Sequence, residues 1–337
     1  MNENIIFITR SIVRKRANNG KQKLIDEINW LVSLPEEVKN RFPEVLESSV
    51  NKANVYYEMP FYNIPTLRQA IFYGKINGNI ACDILNKIFD FMYVNFYSKI
   101  NKDVPSDFIK KTHFDRVLER IDLVKKQTKI FDKIISKKYV LMDGKKYQNA
   151  LSIIENFKSE NKLIKMLSPC WTSKIHGDLH FDNILIDIDQ DNVLTNFVLI
   201  DPRGYSQGSD YGYDLGKLWH SFHGLYDFVN NGCSNINYKE ISKTEIEVCI
   251  QFSNRNILRE YEFILDKFPK LLDEKYKLNA IDKYWEFRTL FTEAMHFLSL
   301  PDFHLRFDER EEKAISLYMI GVKLLNKVWE NYVRNYK

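Results

Sequence analysis

The sequence predicts an α+β fold in which a small β-rich lobe precedes a larger, mainly helical one. Three observations predict it. β-Branched residues are dense in IIFIT and SIV near the start. Helical periodicity dominates after Thr66 and returns after Tyr213. Between those stretches two short apolar runs, NILIDID and NVLTNFVLID, flank the turn-forming cluster Asp189–Asn192.

Taken in order, residues 4–17 read as one strand, which NNGK at 18–21 breaks. KQKLIDEINWLVSL follows with Leu24, Ile28 and Leu31 on one helical face, and Pro35 ends it. PEVLESSV and NVYYEMPFY then flank a short Asn-Lys-Ala-Asn turn and read as a hairpin. Pro60 and Pro65 punctuate the chain before three helical stretches, and residues 147–166 read as helix too. From Tyr213 to Lys337 helices are expected to dominate. The predicted organisation is therefore residues 1–62, a β-rich lobe with a hinge near Tyr57–Tyr62, and residues 63–337, a helical lobe.

Composition bounds the function. The 337 residues carry a net charge of +4, with basic and acidic residues interspersed, which disfavours a nucleic-acid surface. Cys82, Cys170, Cys233 and Cys249 lie far apart, with no Cys-x-x-Cys pair, so neither a zinc site nor a disulfide framework is indicated. No apolar run approaches the ~18 residues of a membrane span, and the N-terminus does not read as a signal peptide. A cytoplasmic protein is expected, with no membrane and no nucleic-acid partner.

The most informative segment is His176-Gly-Asp178-Leu-His180-Phe-Asp182-Asn183, followed by an apolar run, a turn, a second apolar run and Asp201. Phosphoryl transfer from ATP needs a carboxylate to orient or accept the proton of the attacking hydroxyl. It also needs hard oxygen ligands that hold Mg²⁺ against the phosphates. An Asp followed five positions later by Asn fits the catalytic-loop pattern H-x-D-x-x-x-x-N. Asp178 is then the base, and Asn183 and Asp201 are the metal ligands that a hairpin brings together. His176 is expected to buttress the loop.

HGDLHFDNIL, LIDPRG and YDLGKLWHS together resemble the aminoglycoside phosphotransferase and choline kinase-like superfamily. The resemblance is strongest over residues 171–225. It implies a bilobal protein-kinase-like fold, Mg²⁺ with ATP (or GTP), and a small-molecule hydroxyl acceptor. Position by position it implies Asp178 as base and Asn183 and Asp201 as metal ligands. Asp214 resembles the family's helix-start aspartate, with a structural role.

A site of this kind also needs a strand lysine paired with a helix glutamate. Val13, Lys15 and Ala17 share one strand face, so Lys15 is the choice and Arg14 the alternative. Glu27, near the apolar face of its helix, is the expected partner. Glu58 and Met59 belong to the expected hinge, where backbone groups would meet adenine and Met59 would pack on it. Kinase-like proteins carry a strand–loop–strand over the phosphates before the lysine strand. Here 14 residues without glycine precede Lys15, so that hairpin is expected to be short or missing.

Trp219, His220, His223 and Tyr226, and later His296, Asp302, His304 and Arg306, are candidates for the acceptor side, expected as packed or pocket-lining residues. Arg203 is a candidate contact for phosphate or an anionic acceptor. The expected function is an ATP- and Mg²⁺-dependent kinase acting on a hydroxyl of a sugar or amino alcohol, with cell-surface polysaccharide metabolism as its setting. The alternatives are a pseudokinase-like ligand-binding protein, motivated by the glycine-free start, and an aminoglycoside-modifying kinase. The oligomeric state is left open.

Overall fold

The computed structural model describes residues 4–9, 11–101, 103–205, 208–307 and 310–337. Among them are ten strands: β1 (Asn4–Ile8), β2 (Ile12–Ala17), β3 (Glu47–Ser49), β4 (Tyr56–Pro60), β5 (Tyr139–Met142), β6 (Lys145–Gln148), β7 (Ile184–Ile188), β8 (Leu194–Leu199), β9 (Ser234–Glu240) and β10 (Glu245–Phe252). Helices make up most of the rest, so the fold is α+β, as the sequence predicts. The chain divides into two compact units, Met1–Asn101 with Trp171–Leu218 and Arg259–Glu274, and Lys102–Cys170 with Trp219–Leu258 and Lys275–Lys337.

In the first unit an antiparallel sheet has the order β1-β2-β4-β3. Residues 4–17 are thus not one strand but a short hairpin. Its turn uses no glycine. The Thr9 hydroxyl accepts from Ile12 N at 3.0 Å, and Thr9 N donates to Ile12 O at 2.8 Å. A side chain that closes a turn locally leaves no Gly or Pro signature in the sequence. β2 alternates cleanly, with Val13, Lys15 and Ala17 buried and Arg14 and Arg16 exposed. At the sheet edge, Ile5, Ile6, Phe7 and Ile8 of β1 are all exposed.

The helix Lys21–Val32 starts after Gly20, whose φ of 65° is the left-handed conformation that glycine adopts most readily. It buries Leu24, Glu27, Ile28, Trp30 and Leu31. The expected hairpin of residues 43–62 is present as β3–β4, with Glu47 opposite Glu58 and Ser49 opposite Tyr56. β7 and β8 pair antiparallel, with Ile184 opposite Leu199, and Asp189 Oδ1 closes their turn by accepting from Asp191 N and Val193 N, both at 2.9 Å.

The second unit packs the helices Trp285–Ser299 and Glu311–Asn335 around a core that includes Phe157, Phe291 and Tyr318. It also holds a mixed sheet, β6-β5-β10-β9, in which only β5 and β10 run parallel. The expectation of helix from Tyr213 onward misses β9 and β10. EIEVCIQF alternates with period two, burying Ile246 and Val248, and that pattern marks a half-buried strand. No helix among the described residues is long and apolar enough to cross a membrane.

Candidate active site

Lys15 and Glu27 meet in the first unit. Lys15 Nζ lies 2.8 Å from both Glu27 oxygens, and each residue is only 6% exposed. The strand turns Lys15 inward, and the helix that follows presents Glu27 from its buried face. Tyr57, directly opposite Lys15 on β4, donates its hydroxyl to Glu27 Oε1 at 2.8 Å. Asp201 completes the cluster, its Oδ1 accepting from Lys15 Nζ at 3.0 Å. Burial alone would lower the Lys15 pKa, but Asp201 and Glu27 outweigh it and raise it above its ordinary value. Burial raises the Glu27 carboxyl, against the opposing pull of Lys15. Burial also acts to raise Asp201, yet Lys15 beside it holds its pKa below the usual carboxylate range.

Asp201 has φ of 59°, a left-handed conformation costly for a residue with a Cβ and one that clusters at functional sites. Its neighbourhood enforces it. Ile200 N donates to Asn183 O at 3.0 Å and Arg203 N to His176 O at 2.8 Å, tying both flanks to the 176–183 loop. Gly204, with φ of 69°, lies so close to the helix Lys21–Val32 that a Cβ there would stand 2.3 Å from the Asp26 carbonyl carbon. The segment that carries Asp201 is therefore seated against the helix that carries Glu27.

The 176–183 loop is built around buried acceptors. Asp214, fully buried, accepts from His176 N at 2.8 Å, Gly177 N at 2.6 Å and the Tyr97 hydroxyl at 2.9 Å. Burial pushes its carboxyl up to about 6, against these three hydrogen bonds. Tyr97 reaches it from a short π-helical segment, Tyr93–Tyr97, that continues the helix Gly78–Met92. His176 Nδ1 accepts from Asp178 N at 3.2 Å, while its ring packs against Trp30 and Phe42. Burial holds its imidazole down to about 4, so it is neutral at pH 7. Asp182 faces away from this chemistry, accepting from Arg68 Nε at 2.6 Å and Thr66 Oγ1 at 3.2 Å.

Asp178 and Asn183 are adjacent, both buried, with Asn183 Nδ2 donating to Asp178 O at 2.8 Å. Two cations approach the Asp178 carboxylate, Arg203 on Oδ2 and Lys217 on Oδ1, the latter at 3.0 Å. Burial acts to raise the Asp178 pKa, but Arg203 and Lys217 outweigh it and hold the group well below the ordinary range. Asp178 and Asp201 act on each other through space, so the two clusters form one electrostatic unit.

Of the residues singled out from the sequence, Lys15, Glu27 and Asp201 come into direct contact, as do Asp178 and Asn183. Met59 is buried on the Lys15 face of the sheet, opposite Val13. Glu58 is on the other face, where Arg14 Nε bonds its Oε1 at 2.8 Å, and its carbonyl accepts from Leu46 N at 2.9 Å. Arg14, the alternative to Lys15, is thus occupied away from Glu27. Sequence reasoning missed Tyr57 and Lys217. Strand alternation relative to Lys15 points to the first. Nothing in YDLGKLWHS separates Lys217 from a solvated helix position.

Among the described residues no group of three or more His, Cys, Asp or Glu could hold a metal ion. The pair Asn183 and Asp201 offers two oxygen donors, which suits Mg²⁺, an ion that keeps waters and takes further ligands from substrate phosphates. In the second unit, His220 stacks on Tyr226 at 4.1 Å and His223 Nδ1 lies 2.7 Å from Glu293 Oε2. Asp302 is buried beneath Arg120, Arg306 and Gln127.

No family model matches the chain, and no curated protein matches it.

Proposed function

We propose that this chain is an ATP- or GTP-dependent, Mg²⁺-dependent phosphotransferase with a bilobal kinase-like fold, acting on a hydroxyl of a small metabolite such as a sugar or amino alcohol. The observation that carries this reading is the buried contact of Lys15 with Glu27 and Asp201. A lysine from a strand, a glutamate from the following helix and an aspartate just after a hairpin are the parts that position a nucleotide's phosphates and metal. Asp178 is the base that orients the acceptor hydroxyl, and Asn183 with Asp201 would hold Mg²⁺. Bound Mg²⁺ would neutralise charge on the transferring phosphoryl group. The sheet order β1-β2-β4-β3, with Lys15 central and a helix between β2 and β3, supports the same reading. A setting in cell-surface polysaccharide metabolism rests on the sequence resemblance alone.

The cations beside Asp178 disfavour a polycationic acceptor, which weakens the aminoglycoside alternative. A binding protein without transfer is the second reading. It is favoured by the β1–β2 hairpin, whose second strand already carries Lys15 and whose turn has no glycine to bring the backbone close to phosphates.

The test is transfer itself. The protein is incubated with Mg-ATP or Mg-GTP and a panel of sugars, choline and ethanolamine, and phosphorylated product is sought by mass spectrometry. Asp178→Asn should lower any transfer by roughly 10²–10⁴-fold while leaving nucleotide binding intact. Nucleotide binding without product from any acceptor would favour the non-catalytic reading.

A further inference from the structure

The two cations on Asp178 are differently built. Lys217 is 5% exposed and approaches Oδ1 from the helix Tyr211–Phe222, so it has little room to leave. The Arg203 side chain is 46% exposed, and its guanidinium covers the other oxygen, Oδ2. Its backbone is fixed. Arg203 N is bonded to His176 O, a Cβ on Gly177 would stand 2.8 Å from Arg203 Cβ, and Gly204 abuts the helix at Asp26. The mobile part of this residue is therefore the side chain beyond Cβ.

An acceptor hydroxyl must reach an Asp178 oxygen, and the Arg203 guanidinium covers Oδ2 while Lys217 stands beside Oδ1. A guanidinium presents five donors in a planar fork and pairs best with oxyanions such as phosphate and carboxylate. An arriving oxyanion therefore offers Arg203 an equivalent partner and leaves Oδ2 open. Lys217, which stays, keeps a cation beside Oδ1.

We propose that Arg203 is an oxyanion receptor at the mouth of the site, exchanging Asp178 for a phosphoryl or carboxylate group of the ligand, with Lys217 as the positioning residue that holds Asp178 meanwhile. The role given to Asp178 rests on the phosphotransferase reading, but the anion site itself does not. The oxyanion has two sources, the terminal phosphoryl group of the nucleotide or an anionic group on the acceptor. In the second case the acceptor class is a phosphorylated or carboxylated hydroxy compound.

The experiment is calorimetric titration of the wild-type protein, Arg203→Gln and Arg203→Lys, each checked for folding by circular dichroism. Three probes are used: inorganic phosphate, Mg-ADP, and Mg with the β,γ-imido analogue of ATP. Loss of one charge-assisted pairing weakens binding by about tenfold or more. If the nucleotide supplies the oxyanion, Arg203→Gln weakens the imido analogue and phosphate by that factor and leaves Mg-ADP unchanged. If the acceptor supplies it, both nucleotides bind as in wild type, and phosphate added with Mg-ADP present loses affinity in Arg203→Gln. Arg203→Lys, which keeps the charge but not the fork, should be intermediate. Should wild type bind no nucleotide, the phosphotransferase reading fails and the phosphate titration alone decides the anion site. Phosphate that binds wild type and Arg203→Gln equally, or binds neither, overturns the proposal.

Discussion

Replacing Asp214 by Asn tests how the 176–183 loop is held. The carboxylate takes Gly177 N on Oδ1, and His176 N with the Tyr97 hydroxyl on Oδ2. An asparagine has one carbonyl oxygen and one NH₂ group. Turned the better way, it keeps His176 and Tyr97 and sets its NH₂ against Gly177 N, leaving that buried donor unsatisfied. One such donor costs about 1–3 kcal/mol, and the surviving bonds lose the strength that an ionised acceptor gives. The expected loss of stability is about 2–4 kcal/mol at pH 8, where the carboxylate is ionised. Tyr97→Phe removes one bond and leaves the carboxylate its two backbone donors, so its cost is about 1 kcal/mol. Urea unfolding of wild type, each single variant and the double variant measures both values and their coupling. An Asp214→Asn protein with an unchanged midpoint and slope would refute the claim that this carboxylate braces the loop.

Lys15→Met leaves Glu27 buried beside Tyr57 without its cation, and should cost about 3–5 kcal/mol. Adding Glu27→Gln should recover part of that loss, as chemical denaturation of both variants can show. Gly204→Ala combines a left-handed φ with a Cβ driven into the Asp26 backbone, so a loss of about 3 kcal/mol or more is expected, together with weaker nucleotide binding. Burial of the His176 imidazole makes the fold sensitive to acid. Its folded pKa of about 4 lies below the ordinary 6.5, so the unfolded chain binds the proton more tightly. That contribution is complete above pH 6.5 and is lost as pH falls through 4, amounting to about 3 kcal/mol. Urea midpoints at pH 7 and pH 4.5 should fall less far apart in His176→Asn than in wild type, and an equal drop in the two proteins would count against a buried neutral imidazole.

Much of the candidate site is legible in the chain because its parts are local. The alternation of IVRKRA alone assigns Lys15 to the face away from Arg14, and the spacing of Leu24, Glu27 and Leu31 turns Glu27 inward. The two apolar runs and the Asp189 turn predict the hairpin beside which Asn183 and Asp201 are anchored. What could not be read depends on long-range partners or on unmarked turns. Lys217 looks like any polar helix residue until the fold brings it to Asp178. Tyr97 belongs to a helical run, and only the π-helical turn directs its hydroxyl to Asp214. The β1–β2 turn was invisible because a threonine hydroxyl closes it. The strand β10 is masked by its setting, a short alternating run among long helical stretches.

Calorimetric titration of ATP into the wild-type protein and into Asp201→Ala, each with and without Mg²⁺, tests the nucleotide site itself. Binding to wild type should require Mg²⁺ and collapse in Asp201→Ala while that variant remains folded. ATP binding that ignores both Mg²⁺ and Asp201, or no binding of ATP or GTP by folded wild-type protein, would contradict the phosphotransferase reading.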